Sequence, residues 1–318
     1  MPEQVDYASL VQALEASVKR NLSDGLLLSG GLDTAIIAYL MVKWRKPYCV
    51  TVALEGAPAP DIPYAKLIVA NLGLKHDLHY FGEEELNEAI SATIRVLKTF
   101  DPMEVRNSAA AYVALKTAKD LGLKSVMTGD GGDELFAGYS FLFKHTPAQL
   151  DKALKKMWSK MTFSSIPMGK DLGVEVRPPF IDPQFRAFAE KIDVTLKVRK
   201  DRGQMWGKWV LRKAFEGIIS KEVAWRVKAP LEVGTGTTTL PAFFDARITD
   251  AEFNRKKAEY LAEDVVIRDK EHLKYYEAFR SIHGIPGAVA RGDKKCPDCG
   301  TGVAQDVTFC RTCGAYPV

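Results

Sequence analysis

"GLLLSGGLDT", residues 25–34, joins a short apolar run directly to two glycines, an aspartate and a hydroxyl side chain. The leucines predict a buried strand, and the following residues, "DTAIIAYLMVKW", predict a helix. Glycines at this junction let the backbone approach an anion, whose negative charge the helix N-terminus stabilises. Ser29 and Thr34 add hydroxyl donors, whereas Asp33 beside a phosphate requires a bridging cation such as Mg²⁺. The stretch therefore predicts a phosphate-binding loop; a tight turn in which Asp33 only caps the helix is the alternative.

A second glycine-rich stretch, "TGDGGDELFAGY" at residues 128–139, follows another apolar run, "SVM". Its acidic residues Asp130, Asp133 and Glu134 are unfavourable neighbours unless a cation lies close to them. In parallel sheets, ligands bind beyond the carboxyl ends of the strands, which is where both glycine-rich stretches are expected to lie. We therefore expect the two loops to face each other across a metal-bound pyrophosphate; a pair of ordinary Asp-Gly turns is the alternative.

Strand-like and helix-like segments alternate over the first part of the chain. Leu10, Leu14 and Val18 recur at helical spacing, and "PYCVTVAL", "HDLHYF" and "KSVMTG" are typical of further strands. Helices are predicted between these strands at "PYAKLIVANLGL", over residues 84–97 and over residues 108–121. Such alternation predicts an α/β fold in which helices cover both faces of a parallel sheet.

The second part of the chain is predicted to be mainly helical from about residue 141 to residue 276, with irregular loops at "EVRPPFIDPQF" and "KAPLEVGTGTTTL". The segment "HGIPGAVARGD" then has the glycine and proline content of a linker. We therefore predict three parts: a main domain over residues 1–283, a linker over residues 284–293 and a small C-terminal domain over residues 294–318.

The composition is that of a soluble globular protein, since 47% of the 318 residues are hydrophobic and 26% are charged. The net charge of +4 is only mildly basic and gives little support for a nucleic-acid partner. The N-terminal residues lack the pattern of a secretory signal. The longest apolar run, "TAIIAYLMV", is too short for a bilayer span, which needs about 20 residues. We expect a cytoplasmic protein that is not associated with a membrane.

The C-terminal segment "CPDCGTGVAQDVTFCRTCG" contains four of the five cysteines, which are Cys296, Cys299, Cys310 and Cys313. The spacing C-x2-C-x10-C-x2-C predicts four thiolates around a structural Zn²⁺, with iron as the alternative metal. So short a segment, a zinc ribbon, needs its metal in order to fold. A zinc ribbon binds nucleic acid or protein, or simply braces a terminus. Lys294, Lys295 and Arg311 form a small basic patch that would suit nucleic acid, although such patches are usually solvated surface. The fifth cysteine, Cys49, lies in an apolar strand and is expected to be a core residue.

Two motifs carry a resemblance to a known family. "SGGLDT" resembles the PP-loop of ATP pyrophosphatases, and "TGDGGDELFAGY" resembles the synthetase domain of the asparagine synthetase family. Further matches to that family follow its order within about residues 5–245: "VALEGAPAPDIPYA", "LKTFDPMEVRNS", "GVEVRPPFIDPQF" and "WRVKAPLEVGTGT". The resemblance implies a Rossmann-like fold of the adenine nucleotide α hydrolase type, with a parallel five-stranded sheet flanked by helices. A mainly helical C-terminal half and the zinc ribbon would complete the chain.

The resemblance also implies roles for individual residues. The pyrophosphate of ATP would be bound by Ser29, Gly30, Gly31 and Thr34. Magnesium would be held by Asp33 and Asp133. The adenosine would lie, largely against backbone atoms, beside Leu27, Val52, Thr128 and Gly129. Phosphate charge would be neutralised by Arg106 and Lys228. Asp130 replaces a family glutamate, one methylene longer, that helps to form the adenylate and to handle the incoming amine.

The reaction implied by the resemblance is ATP-dependent amide formation. A substrate carboxylate, which we expect to be that of aspartate, attacks the α-phosphorus of ATP, pyrophosphate leaves, and an amine captures the acyl-adenylate. Glutamine-dependent members of the family carry an N-terminal glutaminase domain with a cysteine nucleophile, whereas here Pro2 follows Met1 and the PP-loop already begins at Ser29. We therefore expect ammonia from solution or from a separate glutaminase subunit, and we consider a homodimer as the assembly.

Two other functions are compatible with these motifs. A tRNA-modifying PP-loop enzyme would adenylate a base and hold RNA with the zinc ribbon. Sulfur transfer by such an enzyme needs a reactive cysteine, which the core position expected for Cys49 disfavours, but nitrogen insertion does not need one. A non-catalytic ATP-binding or assembly subunit is the third candidate, and it is disfavoured because Asp33, Asp133 and Lys228 are all present.

Overall fold

The computed structural model describes residues 6–289 and 292–318. Residues 290–291 of the predicted linker and residues 1–5 of the predicted main domain lie outside the described residues. The central sheet consists of the parallel strands β1 (Gly25–Leu27), β2 (Tyr48–Leu54), β3 (Lys75–Phe81), β4 (Ser125–Met127) and β5 (Glu175–Arg177). Their order across the sheet is β3-β2-β1-β4-β5, so the predicted five-stranded parallel sheet is confirmed.

Helices connect these strands and make up most of the remaining chain. The α-helices are α1 (Tyr7–Arg20), α2 (Leu32–Met41), α3 (Ile62–Leu72), α4 (Glu83–Leu97), α5 (Pro102–Asp120), α6 (Gly132–Phe136), α7 (Pro147–Lys160), α8 (Ser165–Leu172), α9 (Pro183–Glu190), α10 (Val194–Lys197), α11 (Trp209–Ala214), α12 (Lys221–Ala224), α13 (Leu231–Thr235), α14 (Leu240–Asp245), α15 (Asp250–Leu261) and α16 (Lys270–His283). Short 3₁₀-helices cover Ser140–Lys144, Pro179–Ile181, Thr237–Thr239 and Pro286–Val289. In the described part of the chain, no helix has the length and apolar content that crossing a bilayer demands.

Two small antiparallel hairpins lie outside the central sheet. The first pairs β6 (Val198–Asp201) with β7 (Gln204–Gly207). The second pairs β8 (Lys294–Lys295) with β9 (Gly302–Val303) and belongs to the cysteine-rich segment.

Apolar side chains fill both faces of the central sheet, because alternate residues of a strand point to opposite sides. Leu26 of β1 and Cys49 of β2 pack with α1 and α2 in one core. Val50 of β2 and Val126 of β4 pack with α4, α5 and α16 in the other. Burial on both faces explains the continuous apolar runs of these strands, and Cys49 is a core residue as expected.

Helix α5 begins at Pro102, before the start at residue 108 that the sequence pattern predicts. The side chain of Asp101 caps the helix and accepts a hydrogen bond of 3.2 Å from the N–H of Met103. Pro102 suits the first helical position because it has no N–H that needs a partner. This cap extends α5 into the segment that joins it to α4.

The prediction of helices and irregular loops after residue 141 is wrong at two places. Residues 175–177, which were expected in an irregular loop, form β5 because they pair with β4 in register, with Ser125 opposite Glu175. Residues 198–207 form the β6–β7 hairpin. A strand of three residues is too short to show a period of its own, so only the neighbouring strand identifies it.

The strand order places the two glycine-rich loops side by side. From β1 the chain passes outward to β2 and β3, and it then returns to β4 on the other side of β1. Such a reversal leaves a crevice beyond the carboxyl ends of the two central strands. The loops that follow β1 and β4 therefore line the same crevice.

Candidate active site and metal centre

The first glycine-rich loop wraps around the N-terminus of α2. The hydroxyl oxygens of Ser29 and Thr34 lie 3.2 Å apart, and the N–H of Gly31 donates to Ser29 Oγ at 3.3 Å. Gly30 has a φ of 71°, and a Cβ there would lie 2.6 Å from the carbonyl oxygen of Asp61. Only glycine is compatible with both restraints, so the loop can turn tightly beside the start of α2 and present donor groups to an anion.

The second glycine-rich loop packs directly against the first. A Cβ on Gly129 would lie 3.1 Å from Asp33 Cβ, and a Cβ on Gly132 would lie 2.6 Å from Asp33 Cγ. Because Gly129 and Gly132 have no side chains, Asp33 fits between the two loops. The two loops lie face to face as expected, and the metal-bound pyrophosphate between them stays a prediction.

A buried lysine, Lys208, joins the two loops electrostatically. Its Nζ lies 2.5 Å from Asp33 Oδ2 and 2.8 Å from Asp133 Oδ1, and its side chain is 4% exposed. Lys228, one of the predicted site residues, lies 3.5 Å from Asp133 Oδ2 and 4.4 Å from the ring centroid of Tyr139. Two carboxylates and two ammonium groups therefore meet at the end of the crevice.

Mutual pairing sets the charge states of this cluster. Burial acts against the charge of Asp133, but Lys208 and Lys228 together hold the pKa of this carboxyl below its usual value. Burial likewise acts against the ammonium of Lys208, and the carboxylates of Asp133 and Asp33 raise its pKa. For Asp33, burial outweighs the effect of Lys208 and raises the pKa. Lys208 is therefore a fixed cation, and it is a site residue that the sequence pattern did not identify.

The two aspartates form a donor set that fits Mg²⁺. Among the described residues, Asp33 Oδ1 is buried without a hydrogen-bond partner, which is costly unless a ligand satisfies it. Carboxylate oxygens are the donors that Mg²⁺ prefers, and it usually binds through one or two of them together with phosphate oxygens. The residues present thus suit a cation shared with a polyphosphate.

Asp130 is half-buried on the side of the second loop that faces α8. Its Oδ2 accepts hydrogen bonds of 2.7 Å from Thr128 Oγ1 and 2.5 Å from Ser165 Oγ. Burial raises the pKa of Asp130, although these two hydroxyl donors oppose the shift. Asp130 is thus held by α8 rather than by the lysine pair. Ser165 is a second site residue that no motif indicated.

Arg106 lies in a separate network on α5. Its Nε donates to Glu232 Oε2 at 2.9 Å, and its Nη1 donates to Glu271 Oε2 at 3.0 Å. Burial raises the pKa of Glu271 to about 7, although Arg106 opposes the shift. The arginine is therefore held by α13 and α16, and its predicted contact with phosphate stays a prediction.

The residues predicted to line the adenosine pocket lie at the carboxyl edge of the sheet. Leu27 ends β1, and Val52 is buried in β2. Thr128 and Gly129 follow the last residue of β4. These positions lie on or directly after three adjacent strands, so the structure brings the four residues to one edge. Their contact with adenosine stays a prediction.

Arg226 is a further residue that the motif analysis did not single out. Its Nη1 donates to the carbonyl oxygen of Gly30 at 3.1 Å, and its Nη2 is paired with Asp61. The guanidinium also lies 4.1 Å from the ring centroid of Tyr64. Arg226 therefore ties the segment of Lys228 to the first glycine-rich loop.

The four C-terminal cysteines converge as a metal site requires. Their sulfur atoms lie within 4.8 Å of one another, and all four residues are buried. Cys296 Sγ is 3.6 Å from Cys313 Sγ, and Cys299 Sγ is 3.8 Å from Cys310 Sγ. Tetrahedral Zn–S bonds of about 2.3 Å place sulfurs about 3.8 Å apart, whereas a disulfide holds them at about 2 Å. The cluster therefore fits a four-thiolate zinc site.

Comparison with known proteins adds a family to this geometry. The asparagine synthase family model matches residues 8–172 and 167–278. Asparagine synthetase B (glutamine-hydrolyzing) of Escherichia coli is 30% identical over 311 residues, covering 89% of this chain and 55% of that protein. Asparagine synthetase (glutamine-hydrolyzing) 2 of Lotus japonicus is 31% identical over 258 residues, covering 73% and 43% of the two chains. The chain spans about half the length of these curated relatives.

The structures found to be similar are more distant. NMN synthetase from Francisella tularensis superimposes with a TM-score of 0.39 and 14% identity, covering 87% of this chain and 91% of that one. The assignment rests instead on the family match, which extends over more than half of the chain and includes both glycine-rich loops, Lys208 and Lys228. The chain therefore belongs to the asparagine synthase family.

Proposed function

We propose that the protein is an ATP-dependent amide ligase that activates a carboxylate as an acyl-adenylate with release of pyrophosphate. The observation that carries the proposal is the cluster of Asp33, Asp133, Lys208 and Lys228 between two glycine-rich loops at the edge of a parallel sheet. Such an arrangement places two ammonium groups, a pair of carboxylates that suits a cation and anion-binding backbone where a polyphosphate would enter. Transfer at the α-phosphorus requires this neutralisation above all, because pyrophosphate leaves as a multiply charged anion.

The residues of the two loops have distinct roles in this proposal. Ser29, Gly31 and Thr34 donate hydrogen bonds to the pyrophosphate, and the ammonium groups of Lys208 and Lys228 neutralise it as it leaves. Asp33 and Asp133 hold Mg²⁺, which supplies further neutralisation of phosphate charge. The substrate carboxylate forms a new bond to the α-phosphorus while the bond from that atom to pyrophosphate breaks.

The second half of the proposed reaction uses the other side of the crevice. The amine nitrogen attacks the acyl carbon, and AMP leaves with the former substrate oxygen. A carboxylate Oδ of Asp130 accepts the amine proton, and desolvation, which raises the pKa of this acid, makes its carboxylate a stronger base. Ser165 and Thr128 keep the Asp130 carboxyl oriented.

Aspartate and ammonia are the proposed substrates, with the ammonia coming from solution or from a separate glutaminase. The names of the E. coli and Lotus relatives describe glutamine-hydrolyzing asparagine synthetases, which supports aspartate as the acceptor. No observation favours the RNA-modifying alternative. In the basic patch of the ribbon, Arg311 is bonded to Thr162 and Lys160, and Lys294 is bonded to the carbonyl oxygen of Val318.

ATP–pyrophosphate exchange with Mg²⁺, with and without aspartate, tests this function. We expect aspartate-dependent exchange that is lost in Asp33→Asn and kept in Asp120→Asn, which changes an exposed carboxylate at the end of α5. Absence of exchange with aspartate would contradict the proposed acceptor. AMP formation that depends on tRNA instead would favour the RNA-modifying alternative.

A further inference from the structure

The cysteine-rich ribbon is hydrogen-bonded to the loop that leads into α5. The N–H of Phe100 donates to the carbonyl oxygen of Thr312 at 2.7 Å, and Thr99 Oγ1 donates to the carbonyl oxygen of Arg311 at 2.7 Å. This loop ends at Asp101, the cap of α5, and α5 carries Arg106. The ribbon therefore binds the backbone directly before a helix of the proposed site.

The ribbon also holds the loop that leads into α8. Arg311 Nη1 donates to Thr162 Oγ1 at 2.7 Å, and Nη2 donates to the carbonyl oxygen of Lys160 at 3.0 Å. Three residues after Thr162, α8 begins at Ser165, whose hydroxyl donates to Asp130. One ribbon arginine is thus connected to the proposed base through a single short loop.

A third contact anchors the ribbon to the segment before α16. The N–H of Val266 donates to the carbonyl oxygen of Asp298 at 2.7 Å, and Arg268 Nη2 donates to the carbonyl oxygen of Cys313 at 2.5 Å. The four cysteines are part of the same buried core as Phe279 and Tyr276. The ribbon is therefore packed on the main domain rather than held away from it.

The positions of these contact groups depend on the metal site. Arg311 and Thr312 lie between Cys310 and Cys313, in the short turn that brings these two cysteines onto one metal. We call this turn the metal-binding knuckle, and the contacting carbonyl and guanidinium groups belong to it. The strands of the ribbon are two residues long each, too little secondary structure to hold this turn by itself. Metal-free segments of this size do not keep their fold, so sulfur–metal bonds determine where the knuckle lies.

We propose that the ribbon is an intramolecular brace whose metal, Zn²⁺, holds the α5 and α8 loops and thereby positions Ser165 and Asp130. The inference rests on the proposed function for the role of Asp130, but the brace itself is a statement about structure. Arg311 and Thr312 are the positioning residues. On this account, Arg311 and Lys294 of the basic patch are used within the chain, and the ribbon does not bind nucleic acid.

The variant that tests the brace is Arg311→Ala, because it removes the contact to the α8 loop and keeps all four cysteines. Lys295→Ala, which changes an exposed cation of the same ribbon, is the matched control. We expect Arg311→Ala to retain one zinc per chain by elemental analysis. Its amides over residues 160–168 should exchange with solvent faster than those of the wild type, and kcat should fall about tenfold with an unchanged KM for ATP. If Arg311→Ala shows the amide exchange and the kcat of the wild type, the proposal is wrong.

Removal of the metal from the full chain provides a second test that does not depend on turnover. After chelation, amide exchange should increase over residues 98–101 and 160–168, and added Zn²⁺ should restore protection in both. If the wild type forms no AMP but shows this zinc-dependent protection, the proposed function fails while the brace stands. Amide protection over these residues that does not change on zinc removal would contradict the brace. Binding of tRNA by the intact chain that depends on zinc would also contradict it.

Discussion

Lys208 shows how a single side chain defines the candidate site. It lies between two aspartates from loops about a hundred residues apart, in a place where burying either charge alone would be costly. Its backbone is also unusual, with a φ of 53°, and its N–H donates to the carbonyl oxygen of Phe136 at 2.9 Å. The lysine is therefore held in one position by both its backbone and its ammonium group.

Replacement of this cation, Lys208→Met, should abolish ATP–pyrophosphate exchange and destabilise the fold. Removing one partner of a buried ion pair costs about 3–5 kcal/mol, because the remaining carboxylates lose their counter-ion. We expect added Mg²⁺ to restore part of the lost stability in a urea titration, since a cation can then satisfy Asp33 and Asp133. Lys221→Met, at an exposed position of α12, serves as the control. If Lys208→Met is as stable as the wild type without Mg²⁺, the pairing of Lys208 with Asp33 and Asp133 does not stabilise the fold.

Tyr139 offers a second test at the level of one residue. Its ring faces Lys228, with 4.4 Å from Nζ to the centroid, and its hydroxyl donates to Glu134 Oε1 at 2.5 Å. A contact of this kind contributes about 0.5–2 kcal/mol, so Tyr139→Leu should lower kcat by roughly tenfold because Lys228 loses its support. Tyr139→Phe keeps the ring and should retain most of kcat. Its free energy of unfolding should fall by about 1–3 kcal/mol, because Glu134 is left without a donor.

Measured kcat values and urea unfolding curves separate these two effects. Equal kcat values for the Leu and Phe variants would show that the ring does not position Lys228.

At the scale of elements, the glycine-rich loops work because they pack against each other without side chains. The short helix α6 follows the second loop, and its first residue, Gly132, lies against Asp33 of the first. Both loops therefore depend on the parallel pairing of β1 with β4, with Leu26 opposite Met127. The contact between the loops is thus a property of the sheet rather than of either motif.

Gly132→Ala should separate the two loops and disable the site. The added Cβ would lie 2.6 Å from Asp33 Cγ and Oδ1. This is a steric clash, so the backbone of the second loop or the side chain of Asp33 must move. We expect ATP–pyrophosphate exchange to fall by about a hundredfold, since a shift of about 1 Å has effects of that size. Gly82→Ala at the start of α4 is the matched control, because its Cβ would meet only Glu55 Oε2 at 3.5 Å. Full exchange in Gly132→Ala would show that the loops tolerate separation.

At the scale of the whole molecule, the two cores on either side of the sheet hold several ionisable groups. Lys197 is fully buried, donates to the carbonyl oxygen of Ala189 at 2.8 Å and lies 4.5 Å from the ring centroid of Trp158. Burial lowers the pKa of Lys197 to about 7 from a usual value of 10.5. The folded state therefore releases a proton at a lower pH than the unfolded state does.

The stability of the wild type should consequently rise with pH relative to that of Lys197→Met. Between about pH 7 and pH 10.5 the unfolded chain binds a proton at this lysine that the folded chain lacks, so raising the pH favours folding. We expect the difference in free energy of unfolding to change by about 3 kcal/mol between pH 7 and pH 9.5. Urea denaturation of both proteins at these pH values measures it. A difference independent of pH would show that Lys197 stays protonated in the fold.

Much of the fold follows from the sequence alone. Apolar runs of three to seven residues, each followed by a helical pattern, specify a parallel α/β sheet because only strands covered on both faces have this composition. The two glycine-rich loops, with Asp33 and Asp133, were also visible in sequence, since their backbone requirements and charges are local. The cysteine spacing predicts the metal site for the same reason.

The tertiary structure alone decided the remaining features. Lys208 and Ser165 carry no local signal, because their roles come from partners brought near by the order of strands and not by spacing in the chain. Strand β5 exists only through its pairing with β4, and Arg106 is bound by glutamates of α13 and α16 rather than by the loops. A sequence determines residue types and periods, whereas long-range electrostatic and hydrogen-bond partners are set only when the elements pack.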